Sequence, residues 1–326
     1  MTPPPSGSFG EFDLIRRHFA RGSAPHPQTV LGVGDDCALL QPSVDTLLAV
    51  TADTLVAGVH FFTDVHPHDL GHKSLAVNLS DLAAMGATPA WVTLCLTLPE
   101  LDQVWLEGFA AGFTQMALAQ GVELVGGDTT RGPLSITVQA MGQLPAGSGL
   151  RRSGANLGDL VFVTGQVGSA GLGLKTLQGL WDGRDDESVR RLLRPEPRVA
   201  AGQELRGRAS ACIDVSDGLA ADLGHVLAAS GLGATVEWER LPLSAAVLDY
   251  VARTDDWRMP LVAGDDYELC FTAPERERVA IETALASIGC ACSVIGRIQR
   301  EPGLRLSREG RVDAFGPGGY DHFAGR

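Results

Sequence analysis

The chain has 326 residues, of which 44% are hydrophobic and 20% are charged, and it carries a formal net charge of −13. Such a composition is typical of a globular protein of about two domains. The negative charge argues against nucleic acids and anionic membrane surfaces as partners, because both are bound through clustered Lys and Arg.

No targeting segment is predicted at the start, since MTPPPSGSFG has neither the charged nor the apolar region of a secretory signal. No apolar run of about 18 residues predicts a membrane span. The six cysteines are scattered, mostly within apolar segments, which favours reduced, buried thiols in a cytoplasmic protein. Cys290 and Cys292 resemble half of a metal site, but no CxxC or His pair completes it, so a structural role is favoured.

The first half of the chain alternates predicted strands and helices. Apolar runs predict strands, the third of them short and ending in a turn, over residues 46–52, 90–98, 122–130 and 134–144. Helices are predicted over residues 69–85, where Leu recurs at helical spacing before Gly86, and over residues 101–121. The order strand, helix, strand, helix, strand, strand favours an α+β fold over a strict βαβ repeat.

A domain boundary is predicted in residues 145–159, which are rich in Gly, Pro and Ser. The predicted domains are residues 1–148 and 149–326. The second half resumes with a strand at LVFVTG, followed by a glycine-rich turn and a helix. Residues 209–230 predict a strand, a turn and a helix, and residues 259–274 predict an acidic turn that runs into a strand.

Aspartates recur at the ends of apolar elements, usually beside Gly, Ser or Thr. They are Asp35, Asp36, Asp53, Asp81, Asp128, Asp214, Asp217, Asp265 and Asp266. Each one alone is explained as a turn residue or a helix cap. Together they predict carboxylates that converge on cations, and Mg²⁺ ions bridged by substrate phosphates suit them, because Mg²⁺ takes oxygen ligands and one or two carboxylates per ion. Calcium sites are the competing interpretation, although the EF-hand pattern is absent.

Two glycine-rich segments imitate nucleotide-binding motifs. Residues 168–176, GSAGLGLKT, nearly form a Walker A motif, but Leu174 intrudes before Lys175 and moves the lysine off the phosphate cradle. Residues 32–37, GVGDDC, begin like a dinucleotide fingerprint but lack its third glycine and a following helix signal. We interpret the first as a plain turn into a helix, and we reject the second.

The chain resembles the thiamine-monophosphate kinase family in motifs that keep their order from about Gly10 to Phe323. These are LGVGDDCALL, TADTLVAGVHF, KSLAVNLSDLAAMGATP, LVGGDTTRG, RRSGANLGDLVFVTG, IDVSDGLAADLGH, GDDYELCF and GYDHF. The acidic turns alone resemble only the wider superfamily of ATP-dependent aminoimidazole ribonucleotide synthetase-like enzymes. GVHF, NLSDLAAMGA and GYDHF are the more specific signals.

The resemblance implies direct in-line transfer of the γ-phosphate of ATP to thiamine monophosphate, giving thiamine diphosphate and ADP without a phosphoenzyme. It implies Mg²⁺, with K⁺ as a further candidate cation. It also implies an α+β, two-domain aminoimidazole ribonucleotide synthetase-like fold. The N-terminal sheets of two subunits are expected to pair into a shared barrel, giving a homodimer.

The resemblance also assigns site residues, position by position. The metal-binding positions are Asp36, Thr51, Asp53, Asp81, Asp128 and Asp214, with Ala52 contributing through its backbone carbonyl and Asp217 as the position for a further ion. The ATP-binding positions are Gly127, Asp128, Arg152 and Ser216. The positions on the thiamine side are His60, Asp265 and the C-terminal aromatic segment that includes Tyr320. Beyond metal and phosphate positioning, no catalytic residue is assigned.

Some of these residues have simpler explanations from the sequence. Arg152 can fork onto a phosphate, or it can be a solvated linker charge beside Arg151. His60 lies among apolar residues, where a core histidine is the usual explanation. Lys73 either orients Asp81 or contacts phosphate, with a surface lysine as the alternative.

The chain departs from the general family pattern in two places, and the adjacent aspartates at residues 35–36 have to be assigned separately. Asp265 stands where the family usually has Glu, so its side chain is one methylene shorter. Pro317 and Gly318 stand where an aromatic residue is common, and Tyr320 is the candidate replacement. In the pair at residues 35–36, the resemblance assigns the second aspartate as the ligand, and we expect the first to cap the turn through backbone N–H groups.

Three interpretations follow. The first is a thiamine-phosphate kinase. The second is another superfamily member, which would share the metal site but would not need His60 or the GYDHF end. The third is a non-catalytic metal-binding or nucleotide-sensing protein. ATP turnover separates the third from the others, and the identity of the acceptor separates the first from the second.

Overall fold

The structure is a computed structural model that describes residues 25–183, 185–316 and 318–320. The first residues of the chain and most of the GYDHF tail therefore lie outside the described residues. The chain divides into two compact units. The first unit comprises residues 1–78 and 89–143, and the second comprises residues 79–88 and 144–326.

The first unit contains a short antiparallel pair and a four-stranded sheet with the order β3-β6-β4-β5. Its strands are β1 (Thr29–Leu31), β2 (Leu39–Leu40), β3 (Thr46–Val56), β4 (Thr88–Leu98), β5 (Glu123–Arg131) and β6 (Ser135–Pro145). Strands β4 and β5 pair in parallel. Helix α1 (Pro67–Ala84) precedes β4, and helix α2 (Gln103–Gln120) precedes β5. The predicted order of elements in this half is confirmed.

The helices of the first unit begin and end where local chemistry favours it. The side chain of Asp102 accepts hydrogen bonds from the first N–H groups of α2, and Gly121 ends this helix at a φ of +65°. Helices α1 and α2 touch through their backbones at Gly71, where a Cβ atom would lie 2.1 Å from the carbonyl oxygen of Phe109. Only glycine permits this approach.

The second unit is built on a seven-stranded sheet with the order β13-β12-β9-β11-β7-β10-β8. Its strands are β7 (Leu160–Thr164), β8 (Ala211–Asp214), β9 (Gly233–Glu237), β10 (Leu269–Ala273), β11 (Cys292–Gln299), β12 (Gly303–Arg308) and β13 (Arg311–Ala314). Neighbours are antiparallel except β9 and β12. The strands β7, β8 and β10 are fully buried, and Phe162 stacks on Phe271 with ring centroids 4.9 Å apart.

Helices alternate with these strands along the second half of the chain. They are α3 (Ser169–Leu177), α4 (Asp186–Leu193), α5 (Val199–Leu205), α6 (Leu219–Ser230), α7 (Ala245–Thr254), α8 (Met259–Val262) and α9 (Arg278–Ser287). Helix α6 buries Leu219, Leu223 and Val226 in the core that β7 and β8 also line. The mixed sheets and interspersed helices confirm the α+β prediction.

Cysteines and helix length bear on two further expectations. All six cysteines are free. Cys37 and Cys95 are exposed, so the expectation of burial is wrong for these two. Burial raises the pKa of the Cys290 thiol and raises that of Cys292 to about 11, which opposes thiolate binding to a metal there. In the part of the chain that is described, no helix is both long enough and apolar enough to cross a membrane.

Candidate functional site

Strand β3 carries three of the predicted metal positions in the first unit. Thr51 and Asp53 are half-buried and Ala52 is exposed, as alternation along a strand requires. The prediction that Asp53 follows the strand is wrong, because the alternation continues through the buried Leu55 and keeps the backbone extended to Val56.

A buried amide on α1 anchors the backbone at Asp53. The Asp53 N–H donates to Oδ1 of Asn78 at 3.1 Å, and the Asn78 amide nitrogen donates to the carbonyl oxygen of Ser74 at 3.1 Å. Asn78 is completely buried. Its amide is therefore satisfied from both ends, and it holds this part of β3 in place.

The adjacent aspartates at 35 and 36 lie in an exposed turn between β1 and β2. The Asp36 N–H donates to Oδ1 of Asp35 at 2.9 Å. The expectation that Asp35 caps the turn is confirmed. Because both side chains face water, their mutual repulsion is screened and the pair needs no buried counter-charge.

Gly127 and Asp128 lie inside β5, which runs to Arg131, so the strand predicted over residues 122–130 agrees with the structure to within one residue at each end. In the parallel ladder with β4, Leu94 pairs with Gly127 and Cys95 pairs with Asp128. At Gly127, with φ +154°, a Cβ atom would lie 1.9 Å from the Leu94 carbonyl oxygen, so glycine lets the two strands stay paired. Asp128 is exposed beyond this close approach.

His60 lies in a tight turn after β3, and it is half-buried, so the core-histidine alternative is wrong. Its Nδ1 atom accepts a hydrogen bond from the N–H of Val56 at 2.9 Å. An accepting Nδ1 carries no proton, so in the neutral ring the proton resides on Nε2. The turn therefore selects one tautomer of His60.

Lys73 is 3% exposed on α1. The surface-lysine alternative is therefore wrong. A long cationic side chain is rarely buried without a compensating partner, so its burial favours a role at the site. Whether it orients Asp81 or contacts phosphate stays a prediction.

In the second unit, Asp214 ends β8 and is 3% exposed. The hydroxyl of Ser80, which is completely buried, donates to its Oδ2 at 2.8 Å. Ser80 directly precedes Asp81 on α1, so the helical turn that carries Asp81 is joined to Asp214. Sequence reasoning missed Ser80, for which a hydroxyl beside the aspartate in NLSD was the available signal.

The turn after Asp214 positions Ser216 and Asp217 at the start of α6. The buried carboxylate of Asp222 accepts the N–H groups of Asp217 at 3.0 Å and of Gly218 at 3.1 Å. Burial, followed by the charges of Asp214 and Asp217, raises the pKa of Asp222 to about 8. Carboxylates are thus crowded at this turn, which favours a bound cation.

Asp265 follows Gly264 in a segment held against the same turn. The Asp265 N–H donates to the carbonyl oxygen of Ser216 at 2.9 Å, and the Tyr267 N–H donates to that of Val215 at 2.8 Å. The structure therefore holds Asp265 against the turn that carries Ser216 and Asp217. The hydroxyl of Tyr267 donates to Oδ1 of Asp265 at 3.1 Å, a contact with no sequence signal beyond the spacing of two residues.

The C-terminal segment reaches this turn as well. The Tyr320 N–H donates to the carbonyl oxygen of Asp217 at 3.0 Å, and the Tyr320 side chain is exposed. At Gly318 a Cβ atom would lie 2.7 Å from Cγ1 of Val262. A side chain at position 318 would therefore have to displace Val262.

Arg152 lies in the segment that precedes β7. The N–H of Cys212 in β8 donates to the carbonyl oxygen of Arg151 at 2.8 Å, so this segment runs along the edge of the strand that ends in Asp214. The Arg152 side chain is exposed. Both of its explanations, phosphate ligand and solvated charge, remain open.

In the segment that resembles a Walker A motif, a carboxylate of the protein lies where a phosphate would bind. Helix α3 begins after Gly168, and the carboxylate of Asp266 accepts the N–H of Gly168 at 2.6 Å and that of Ala170 at 3.1 Å. A carboxylate satisfies the N–H groups and the positive end of the helix dipole that a phosphate would need. This supports the interpretation of residues 168–176 as a plain turn into a helix.

The predicted metal positions offer only oxygen donors: carboxylates, the Thr51 hydroxyl and the Ala52 carbonyl. Among residues 25–183, 185–316 and 318–320, no group of three or more His, Cys, Asp and Glu is arranged to hold an ion. Mg²⁺ accepts one or two carboxylates and completes its shell with water and substrate phosphates. The donor set therefore fits Mg²⁺, and it does not suit softer metals.

Comparison with known proteins gives a consistent family. The models for AIR synthase related protein match this chain over residues 34–144 for the N-terminal domain and 156–309 for the C-terminal domain. The thiamine-monophosphate kinase of Salmonella typhimurium is 48% identical over 320 residues, which cover 97% of this chain and 98% of that protein.

Solved structures agree. The thiamine-monophosphate kinase from Stenotrophomonas maltophilia K279a has a TM-score of 0.82 and 47% identity, covering 87% of this chain and 93% of that one. AaThiL complexed with AMPPCP and TMP has a TM-score of 0.76 and 31% identity, covering 89% of this chain and 92% of that one. The chain belongs to the thiamine-monophosphate kinase family and has the two-domain fold of AIR synthase related proteins.

Proposed function

We propose that this protein transfers the γ-phosphate of ATP to thiamine monophosphate, releasing thiamine diphosphate and ADP. The observation that carries the proposal is 48% identity to a thiamine-monophosphate kinase over 97% of the chain. A structural relative complexed with AMPPCP and TMP supports a nucleotide and thiamine monophosphate as ligands of this protein.

The chemistry needs positioning more than acid–base catalysis. The acceptor is a phosphate monoester, whose oxygen is already a competent nucleophile at neutral pH. The barrier lies in bringing two anions together with their oxygens aligned for in-line attack. The aspartates of this chain add further negative charge, so cations are required to balance both.

We assign Mg²⁺ to Asp36, Thr51, Ala52, Asp53, Asp81, Asp128, Asp214 and Asp217, with K⁺ as a further candidate cation. When bound, Mg²⁺ supplies charge neutralisation and orientation of the phosphates. The protein's part is to hold the carboxylates in place: Asn78 anchors the Asp53 backbone, and Ser80 hydrogen-bonds Asp214. Removing either anchor would leave the ligands less ordered.

The nucleotide side is assigned to Gly127, Asp128, Arg152 and Ser216. Gly127 keeps β5 paired with β4 and so holds the neighbouring exposed Asp128 in place. Arg152 is exposed and offers a planar guanidinium for bidentate contact with phosphate oxygens.

The acceptor side is assigned to His60, Asp265 and Tyr320. His60 presents its protonated Nε2 as a hydrogen-bond donor, because Nδ1 is taken by the Val56 N–H. Asp265 presents a carboxylate, and thiamine carries a thiazolium cation and an amino group that a carboxylate complements. Tyr320 reaches this side through its backbone bond to Asp217.

We also propose a homodimer formed by the N-terminal sheets. Strand β3 is at one edge of its sheet, and it exposes Leu47, Leu48 and Val50 at 51%, 46% and 52%. A long edge strand with exposed apolar residues invites pairing with another strand. Sedimentation of the wild type as a dimer and of Val50→Asp as a monomer would support this, and a monomeric wild type would contradict it.

The activity is tested by mass spectrometry of a reaction with ATP, Mg²⁺ and thiamine monophosphate, with free thiamine as a parallel acceptor. We expect thiamine diphosphate in step with ADP, from the monophosphate only. ADP formed without thiamine diphosphate would mean that the phosphate acceptor is a different molecule. No ADP at all would mean that the protein does not catalyse phosphoryl transfer from ATP.

The metal assignment is tested with Asp53→Asn and Asp81→Asn. We expect each to lower kcat by about a hundredfold or more while the protein stays folded. Asp249→Asn is the matched control, because Asp249 lies on the exposed face of α7 and pairs with the surface residue Arg253 at 3.6 Å. Near-normal turnover in Asp53→Asn and Asp81→Asn would reject the metal assignment.

A further inference from the structure

The segment from Gly264 to Glu268 has an unusual backbone. Asp265 has a φ of +68° and Tyr267 a φ of +49°, so two non-glycine residues occupy the left-handed region within three positions. Such conformations are strained, and they persist only where the surroundings enforce them. Contacts with surrounding residues must therefore hold this backbone in place.

Anchors on both sides enforce this backbone. The N–H groups of Asp265 and Tyr267 are bound to the Ser216 and Val215 carbonyl oxygens. The side chain of Glu268, 1% exposed, accepts two hydrogen bonds from Arg198 at 2.6 Å each.

Two more side chains complete the enclosure. The Thr164 hydroxyl donates to Oε2 of Glu268 at 2.7 Å. On the other side, the carboxylate of Asp266 is bound to the start of α3. Every residue from 265 to 268 is thus fixed by an element distant in sequence.

The consequence is that Tyr267 cannot turn away from Asp265. Its side chain is 8% exposed, so its ring is held by packing, and its hydroxyl lies 3.1 Å from Oδ1 of Asp265. The carboxylate is an acceptor, so the phenol is the donor, and hydrogen bonds to ionised acceptors are stronger than neutral ones. Asp265 itself is only half-buried and is short, with two side-chain torsions to restrain.

We propose that Tyr267 is a positioning residue that sets the orientation of the Asp265 carboxylate for recognition of the thiamine part of the acceptor. This rests on the proposed function, which assigns Asp265 to the acceptor side. The phenol removes rotational freedom from the carboxylate before the acceptor arrives, so the acceptor binds without having to order it. Tyr267 acts through Asp265 and not on the transferring phosphate.

The test is steady-state kinetics of wild type and Tyr267→Phe, which deletes one oxygen and keeps the ring. We expect KM for thiamine monophosphate to rise about tenfold, with KM for ATP and kcat within about twofold. Tyr250→Phe is the matched control, because Tyr250 lies on α7, outside the assigned site, and its hydroxyl also donates to an aspartate, Asp256 at 2.7 Å.

A double-mutant comparison separates positioning from a structural role. In an Asp265→Ala background, Tyr267→Phe should leave KM for thiamine monophosphate unchanged, because the group it orients is gone. An unchanged KM in the single variant, or an equal rise in both backgrounds, would overturn the proposal. A parallel rise in KM for ATP with a lowered melting temperature would show a merely structural role and would also overturn it.

The wild type distinguishes this proposal from the function on which it rests. If wild type forms thiamine diphosphate and Tyr267→Phe behaves like wild type, only the positioning role fails. If wild type neither phosphorylates thiamine monophosphate nor binds it calorimetrically with AMPPCP present, the proposed function fails and the role of Tyr267 fails with it.

Discussion

The tripeptide Gly-Asp-Asp occurs at residues 34–36 and again at 264–266, and its two copies have little in common structurally. The first copy is local and exposed. Gly34 takes a φ of +131°, and a Cβ atom added there would have no atom within 4 Å. The Asp35 side chain accepts a hydrogen bond from the N–H of the next residue.

The second copy is enclosed by distant parts of the chain. A Cβ atom at Gly264 would lie 2.2 Å from the Ser216 carbonyl oxygen, and Asp265 takes a φ of +68°. Asp266 is bound to the start of a helix that lies 98 residues away from it in sequence. The comparison shows that the tripeptide specifies a turn in both places, whereas the residues packed against it decide what each carboxylate does.

The largest difference is expected from the two glycines. Gly264→Ala should lower the free energy of unfolding by more than about 3 kcal/mol, because its methyl group meets a backbone oxygen that cannot retreat. Gly34→Ala should cost about 1 to 2 kcal/mol, from backbone strain alone. Urea denaturation of both variants checks this, and equal costs would mean that the enclosure of the second copy yields easily.

The next difference is in activity, within the first copy. Asp36→Asn should lower kcat by about a hundredfold, because it removes an assigned metal ligand. Asp35→Asn should lower it less than about threefold, because the amide oxygen can still accept the Asp36 N–H. Turnover assays at saturating ATP and Mg²⁺ check the pair, and equal losses would reverse their assignment.

The second copy should also give a pH dependence. Burial, partly offset by bonds from Gly168 and Ala170, raises the pKa of Asp266 from 3.8 to about 7. A carboxyl whose pKa is raised in the folded state binds its proton more tightly there, so its contribution to stability is complete below about pH 4 and is lost as the pH rises towards 7.

Asp266→Asn should remove this dependence. The difference in unfolding free energy between wild type and variant should change by up to roughly 1.4 kcal/mol per pH unit in that window, the limit for one proton. Chemical denaturation between pH 4 and 8 measures it. A difference that stays constant across the window would contradict the raised pKa.

The smallest effect is expected from truncating the cap residues. Asp266→Ala should cost about 1 to 2 kcal/mol at pH 4, where the contribution of this carboxyl is complete, because two N–H groups at the start of α3 lose their acceptor. Asp35→Ala should cost less than about 0.5 kcal/mol, because water replaces an exposed bond. Thermal denaturation of both checks this, and a cost for Asp35→Ala equal to that of Asp266→Ala would remove the distinction between the two copies.

The sequence alone determined the order of the elements, because hydrophobic periodicity and Gly and Pro punctuation are local properties. It identified both acidic turns and the plain turn at 168–176, and its motifs led to the family. Its errors were also local in origin. It ended β3 before Asp53, because an aspartate normally signals a turn, and here strand pairing overrides that preference.

Only the tertiary structure decided which side chains support the site. Asn78, Ser80, Asp222 and Tyr267 act on residues that the motifs had singled out. The sequence carried at most a weak signal for these contacts, namely the position of Ser80 beside Asp81 and the spacing of two residues between Asp265 and Tyr267. The burial of Lys73 and the occupation of the α3 start by Asp266 were equally invisible. The physical reason is that a hydrogen bond is directional and short, so it depends on how distant segments pack, whereas periodicity depends only on the chain beside it.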